Sequence, residues 1–146
     1  TNNDYYDGQA AYSPQQNAIA YISETTGEKE LHLMNLDTET KLLLHKGPGE
    51  DRTPTWAEQG EKIVFVNFQS RRSTLHQINY NGSGLEAIIA LEEEITDYAL
   101  GDLQHPLGLY VNKDQSSNLK LLTTTGVTRD ILVDSNVNTI DPAWKK

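Results

Sequence analysis

The chain has 146 residues, enough for one ordinary domain and too few for two comfortable ones. Twelve Lys and Arg against 21 Asp and Glu leave a net charge of −9, a balance that repels phosphate backbones and argues against nucleic acid as a partner. Without Cys there is no disulfide, no thiol nucleophile and no Cys-ligated zinc, and no apolar run reaches the ~20 residues of a membrane helix.

In chain order, the predicted elements repeat. Ala18-Ile19-Ala20-Tyr21-Ile22 ends in an aromatic followed by a β-branched residue, and so do Lys62-Ile63-Val64-Phe65-Val66 and Leu107-Gly108-Leu109-Tyr110-Val111. The aromatics Tyr21, Phe65 and Tyr110 stand 44 and 45 residues apart. Further along each unit, Leu31-His32-Leu33, Leu75-His76-Gln77 and Leu119-Lys120-Leu121 begin at intervals of 44 residues. Turn formers follow at Asp37-Thr38-Glu39-Thr40, Asn81-Gly82-Ser83-Gly84 and Thr125-Gly126-Val127-Thr128. Asp51-Arg52-Thr53-Pro54-Thr55-Trp56 has a partial echo at residues 7–12, and its Pro-x-Trp ending returns as Pro142-Ala143-Trp144. A register kept across several columns marks a repeat architecture.

Each unit holds short apolar runs bounded by turn residues, which predicts strands, in the second unit near 52–56, 62–68, 74–80 and 85–90. Asn81-Gly82 predicts a hairpin in which both central residues take positive φ. Ile63-Val64-Phe65-Val66 does not alternate, so both faces of that strand are expected to be buried. The stretch 85–103 also carries a helical spacing of Leu85, Ile88, Ile89, Leu91 and Ile95, but the repeat register favours strand for 85–90 and a loop for the acidic residues after it. Four antiparallel strands per 40–45 residues, buried on both faces, is the arithmetic of a β-propeller blade. The expected fold is all-β: three four-stranded blades at about 4–48, 49–94 and 95–137 within a single domain, and the start of a fourth at 138–146.

The unit from Asp51 through Trp56, Gly60 and Phe65 resembles the repeat of TolB-type β-propellers, which reads Asp, two spacers, Pro, a spacer, Trp-Ser-Pro-Asp-Gly, then a strand ending Ile-Ala-Phe. Tyr12-Ser13-Pro14 through Tyr21 is similar to the same motif with its Ser-Pro preserved, whereas the third copy has Gly101 where the Trp would stand. The large ring of Trp56 is expected to wedge between adjacent blades, and Gly60 to allow the turn behind it. The resemblance implies a ring of six blades, so three units either belong to a longer propeller or meet a second copy, as a homodimer completing six.

No catalytic constellation emerges. Gly82-Ser83-Gly84 lacks the spacing of a nucleophile elbow and reads as a hairpin turn. His32 and His76 occupy equivalent positions in successive units, which spreads them apart instead of converging them on a metal. Glu92-Glu93-Glu94 with Asp97 lacks the ligand order of a calcium loop and reads as a solvated acidic segment. No metal, cofactor or catalytic residue is expected. In a propeller, the ends of the innermost strands rim the channel, which makes Asp7, Asp51, Arg52, Thr96 and Asp97 the candidate binding residues. Asp7 and Asp51 are equally suited to accepting backbone N–H bonds.

The resemblance implies a non-enzymatic binding module that recognises a protein or peptide, in a periplasmic or otherwise extracytoplasmic setting. Composition alone leaves the compartment open. The resemblance further suggests the sensor part of a larger membrane-anchored regulator, with no membrane insertion by this segment. A propeller that gates a prolyl-oligopeptidase-like serine peptidase, with its catalytic domain outside this chain, is the alternative.

Overall fold

The computed structural model describes residues 4–101, 107–113, 116–122 and 128–131. Twelve strands run through them: β1 (Asp7–Ser13), β2 (Ala18–Ser23), β3 (Glu30–Asn35), β4 (Lys41–His45), β5 (Glu50–Ala57), β6 (Lys62–Gln69), β7 (Arg72–Asn79), β8 (Glu86–Leu91), β9 (Glu94–Ala99), β10 (Leu107–Lys113), β11 (Ser116–Leu122) and β12 (Thr128–Ile131). They form three four-stranded sheets in sequential order, β1 to β4, β5 to β8 and β9 to β12. The ladders from β1 to β4, from β5 to β7 and from β9 to β12 are antiparallel. The blade-like sheets expected from the repeat are therefore present. The start of a fourth unit at 138–146 lies outside the described residues.

The chain divides into two compact units, Thr1–Ala90 and Leu91–Lys146. In the first, a single core lies between two sheets. Ala18, Ala20 and Ile22 alternate along β2, and with Leu31 and Leu33 of β3 and Leu44 of β4 they meet Ile63 and Phe65 of β6 and Ile78 of β7. Neither sheet buries this face alone; each covers the other. Ile63, Val64, Phe65 and Val66 are all at most 3% exposed, as the lack of alternation predicts. Small Ala18 and Ala20 opposite the larger Ile63 and Phe65 let the sheets interdigitate.

The first strand of each sheet meets its neighbour with a register shift. In β1 the register shifts between Gly8 and Ala11, in β5 between Arg52 and Thr55. Both shifts fall opposite the repeat aromatic, Tyr21 or Phe65. Gln9 and Thr53, 44 residues apart, take the left-handed conformation there, with φ of 49° each. That conformation is uncommon for any residue with a Cβ and a strain for β-branched Thr53. A third shift lies in the second unit, between Tyr110 and Val111 against β9.

Two local expectations are corrected. Residues 94–99, read as an acidic loop, form strand β9, because Ile95 and Tyr98 within them are buried at 1% and 6% exposure. In the Asn81-Gly82 turn only Gly82 has positive φ. The Asn81 side chain instead accepts hydrogen bonds from the Ser83 N–H and hydroxyl, which builds a longer side-chain-braced turn.

Candidate functional site

The sequence signature centred on Asp51 becomes a latch between the first two sheets. Asp51 opens β5 and is 1% exposed. One carboxylate oxygen accepts the Leu31 N–H of β3 at 3.1 Å and the His45 Nδ1–H of β4 at 2.7 Å. The other accepts the Asn67 side-chain amide of β6 at 2.9 Å. Its own N–H donates to the Lys29 carbonyl at 2.8 Å. Asp51 thus does accept a backbone N–H, but from the neighbouring sheet and not from its own turn. A buried carboxylate needs such a set of donors, because an unpaired charge there is strongly destabilising.

His45 continues the latch into a stack of rings. It lies 5.0 Å from Phe65 and 5.9 Å from His76, and Phe65 and His76 are themselves 5.4 Å apart, measured between centroids. Burial, and then the positive charge that His45 can carry, push the His76 imidazole below its ordinary value. The neutral form is the one that fits this apolar site. His76 therefore meets His45 of the adjacent sheet, not its repeat equivalent His32. Among the described residues no group of three His, Asp or Glu is arranged to hold a metal ion.

The other end of β5 is held by Trp56. Its indole N–H donates to the Ala11 carbonyl of β1 at 2.8 Å, and the ring packs on the shared core. This is the interblade wedge expected of it. Gly60, at φ +92°, sits so close to the first sheet that a Cβ would lie 2.8 Å from the Ser13 hydroxyl. β1 and β5 are also tied through their bulges, where the Thr53 N–H donates to the Gln9 side chain at 2.7 Å.

Beside the latch lies a polar and aromatic cluster. Arg52 places its guanidinium 4.5 Å from the Phe68 ring centroid and binds Glu50 at 2.8 Å. Glu50 also takes Lys29 at 3.4 Å, and Lys29 lies 5.9 Å from the Tyr6 ring centroid. The hydrogen bond from Arg52, aided by the nearby Lys29 charge, holds the Glu50 carboxyl below its ordinary value against partial burial. The β6–β7 hairpin beside it turns through Ser70 and Arg71, both at positive φ.

Asp7 stands opposite Ser23 in the ladder, as Asp51 stands opposite Asn67. It lines a depression of about 260 Å³ with Tyr21, Ser23, His32, Lys41 and Leu43, all from the first sheet. Burial, and secondarily the Asp7 charge, push the Tyr21 hydroxyl up. Thr96 and Asp97 lie within β9, Asp97 opposite Tyr110 and its carboxylate accepting the Tyr98 N–H at 2.8 Å. The ladder position of Asp7 and Asp51 belongs in the third sheet to Glu94, which stands opposite Asn112. The nearby Glu93 pairs with Lys120 of β11. Structure therefore adds His45, Asn67 and Glu94 to the residues that sequence singled out. The shifted bulge hides Glu94 from a simple count, and Asn67 was discoverable as the residue two beyond the repeat aromatic.

No family model matches the sequence. The chain is 33% identical over 60 residues to the Tol-Pal system protein TolB of Escherichia coli O139:H28, a match over 39% of this chain and 14% of that relative. A protein assigned as TolB from Agrobacterium tumefaciens superposes with a TM-score of 0.73 at 15% identity, over 89% of this chain and 50% of that one. The β-propeller domain of the Trilobed protease from Pyrococcus furiosus gives 0.64 at 13% identity, over 88% and 43% of the two chains. The fold is that of TolB-type propeller blades, and the chain spans half or less of each of these proteins.

Proposed function

We propose that this chain is a non-enzymatic binding module that presents the surface beside its latch to a protein or peptide. The observation that supports this reading is the cluster of Tyr6, Lys29, Glu50, Arg52 and Phe68. Arg52 is held by Glu50 and laid on an aromatic ring before any partner arrives. Arginine and aromatic side chains are the common anchors of protein recognition, and preorganisation lowers the ordering cost of binding. Asp51 beside the cluster fixes the strand that carries Arg52. In the second unit, Thr96 and Asp97 are the matching candidates on β9.

By analogy with the relatives, the module belongs outside the cytoplasm, as the sensing part of a larger membrane-anchored protein. Among the described residues, no helix is long and apolar enough to cross a membrane. The test is to select displayed peptides on the immobilised chain and measure their binding by calorimetry. Arg52→Ala is expected to weaken the selected peptides at least tenfold with an unchanged far-UV spectrum. Binding indifferent to Arg52→Ala, Lys29→Ala and Tyr6→Ala contradicts this surface.

A second reading draws on the likeness to a protease propeller: the module gates a serine peptidase domain carried outside these residues. A fluorophosphonate probe that labels the protein at its natural length favours that reading. An unlabelled protein favours the binding module.

A further inference from the structure

The contact between β4 and β7 joins two titratable rings across the boundary between the first two sheets. His45 of β4 and His76 of β7 stack at an interplanar angle of 29°, 5.9 Å apart between centroids, and Phe65 of β6 closes the triangle at 5.0 and 5.4 Å. His45 is also one of the three donors on Asp51, so the stack rests on a group that completes the latch. The His76 ring has an acceptor for one proton and none for a second. It donates to the Glu86 main-chain carbonyl of β8, whereas its Nδ1 is buried without a hydrogen-bond partner. A neutral ring satisfies this site. An imidazolium would add an orphaned N–H and a charge, each costly where water is excluded.

The groups that face His76 set the direction of its response to acid. Burial disfavours the proton most, then the charge on His45, and Asp51 of β5 attracts it by less. Both Asp51 oxygens already hold donors. The Glu86 carboxylate is taken by the Gln77 side chain at 2.7 Å, and Phe65 brings no charge. Separating the two rings returns His76 to water, where its ordinary value of 6.5 lets it bind the proton. We propose that the His45–His76 contact is an acid-sensitive clasp, through which acid loosens the first sheet from the second and releases a partner held across both. The surface beside the latch draws on both sheets, since Tyr6 and Lys29 immediately precede β1 and β3, while Glu50, Arg52 and Phe68 lie on β5 and β6. Release of a partner rests on the binding role proposed for that surface; loosening of the sheets does not.

Hydrogen exchange followed by NMR at pH 7.5 and 5.5, each rate referred to the unstructured rate at that pH, tests the clasp. Protection of the Leu31 N–H and the Trp56 indole N–H is expected to fall severalfold at the lower pH. One proton bound a unit below 6.5 sets a ceiling of about tenfold. In His76→Phe, which keeps an uncharged ring, protection is expected to be equal at both values. The β10 amides, in the other compact unit, are expected to show no such loss in either protein. A loss at Leu31 that persists in His76→Phe, or one that β10 shares equally, overturns the inference. The unaltered chain decides even where that variant does not fold: a His76 ring found protonated at pH 5.5 while Leu31 stays protected overturns it too. Peptides selected on the surface are expected to bind severalfold more weakly at pH 5.5, and equally at both values to His76→Phe. Affinity independent of pH overturns the release. Failure to select any peptide contradicts the binding surface instead, and the exchange result still decides the clasp.

Discussion

The covered face of the second sheet and the matching face of the first carry nearly the same alphabet in different surroundings. Asp, an aromatic at the strand end, a central aromatic and a His recur 44 residues apart as Asp51, Trp56, Phe65, His76 and as Asp7, Tyr12, Tyr21, His32. On the second sheet the carboxylate closes a three-donor latch, and the Trp56 indole reaches a neighbouring carbonyl. On the first, Tyr12 stands 55% exposed and its hydroxyl donates only locally, to Asn17 at 3.3 Å. A repeat motif therefore specifies a position in the blade. The energy that position contributes depends on what covers it.

The largest expected difference between the two faces is at the aromatic wedge. Trp56→Ala is expected to destabilise by ~3–5 kcal/mol, through lost packing and a stranded Ala11 carbonyl. Tyr12→Ala should change stability by no more than about 0.5 kcal/mol, as an exposed substitution does. Urea denaturation of both variants makes the comparison, and similar losses would erase it. The next effect belongs to the buried carboxylate. Asp51→Ala leaves the Leu31 N–H, His45 and Asn67 without their acceptor, and a loss of about 3–5 kcal/mol is expected from breaking such a buried polar cluster. The same denaturation series measures the Asp51→Ala loss.

Gly60→Ala sharpens the comparison from the backbone side. The residue sits at φ +92°, and its new Cβ would press on the Ser13 hydroxyl and Gln15 of the first sheet. A loss of roughly 1–3 kcal/mol is expected, and a thermal melt shows it. The smallest effect is that of pH. His76 has its value lowered from 6.5 by burial and by His45, so the unfolded chain binds the proton more readily. Its contribution is therefore complete above pH 6.5 and declines as pH falls, by less than about 1.4 kcal/mol per unit for this one group. Glu50 is lowered from 4.5, so its contribution is lost at lower pH still, as acid protonates it. Urea midpoints at pH 7.5 and 5.5 measure the His76 part, and His76→Phe is expected to flatten the slope between them.

The repeat register made the strands legible, because Tyr21, Phe65 and Tyr110 each anchor a second strand and the non-alternating run at Ile63 announces burial on both faces. Trp56 and Gly60 were legible for the same reason. His45 was not, since nothing recurs with it: the residue 44 positions later is Ile89. A latch residue that exists at one interface leaves no periodic trace. Strand β9 was obscured by its acidic lead-in, where Glu92, Glu93 and Glu94 suggest solvent but Ile95 and Tyr98 pack inward. The bulge near Tyr110 then moved the carboxylate position from Thr96 and Asp97 to Glu94, a shift that counting residues cannot anticipate. The same kind of bulge places Thr53 at positive φ, where its residue type alone argues for extended strand.

The central claim is that the buried Asp51 carboxylate fastens the first sheet to the second. Amide hydrogen exchange at Leu31, whose N–H that carboxylate accepts, tests it most directly. In the unaltered chain this amide should exchange as slowly as the core amides of β6, and in Asp51→Asn at least tenfold faster, with β10 amides unchanged. Rapid exchange at Leu31 in the unaltered chain, or protection that survives Asp51→Asn, would contradict the latch.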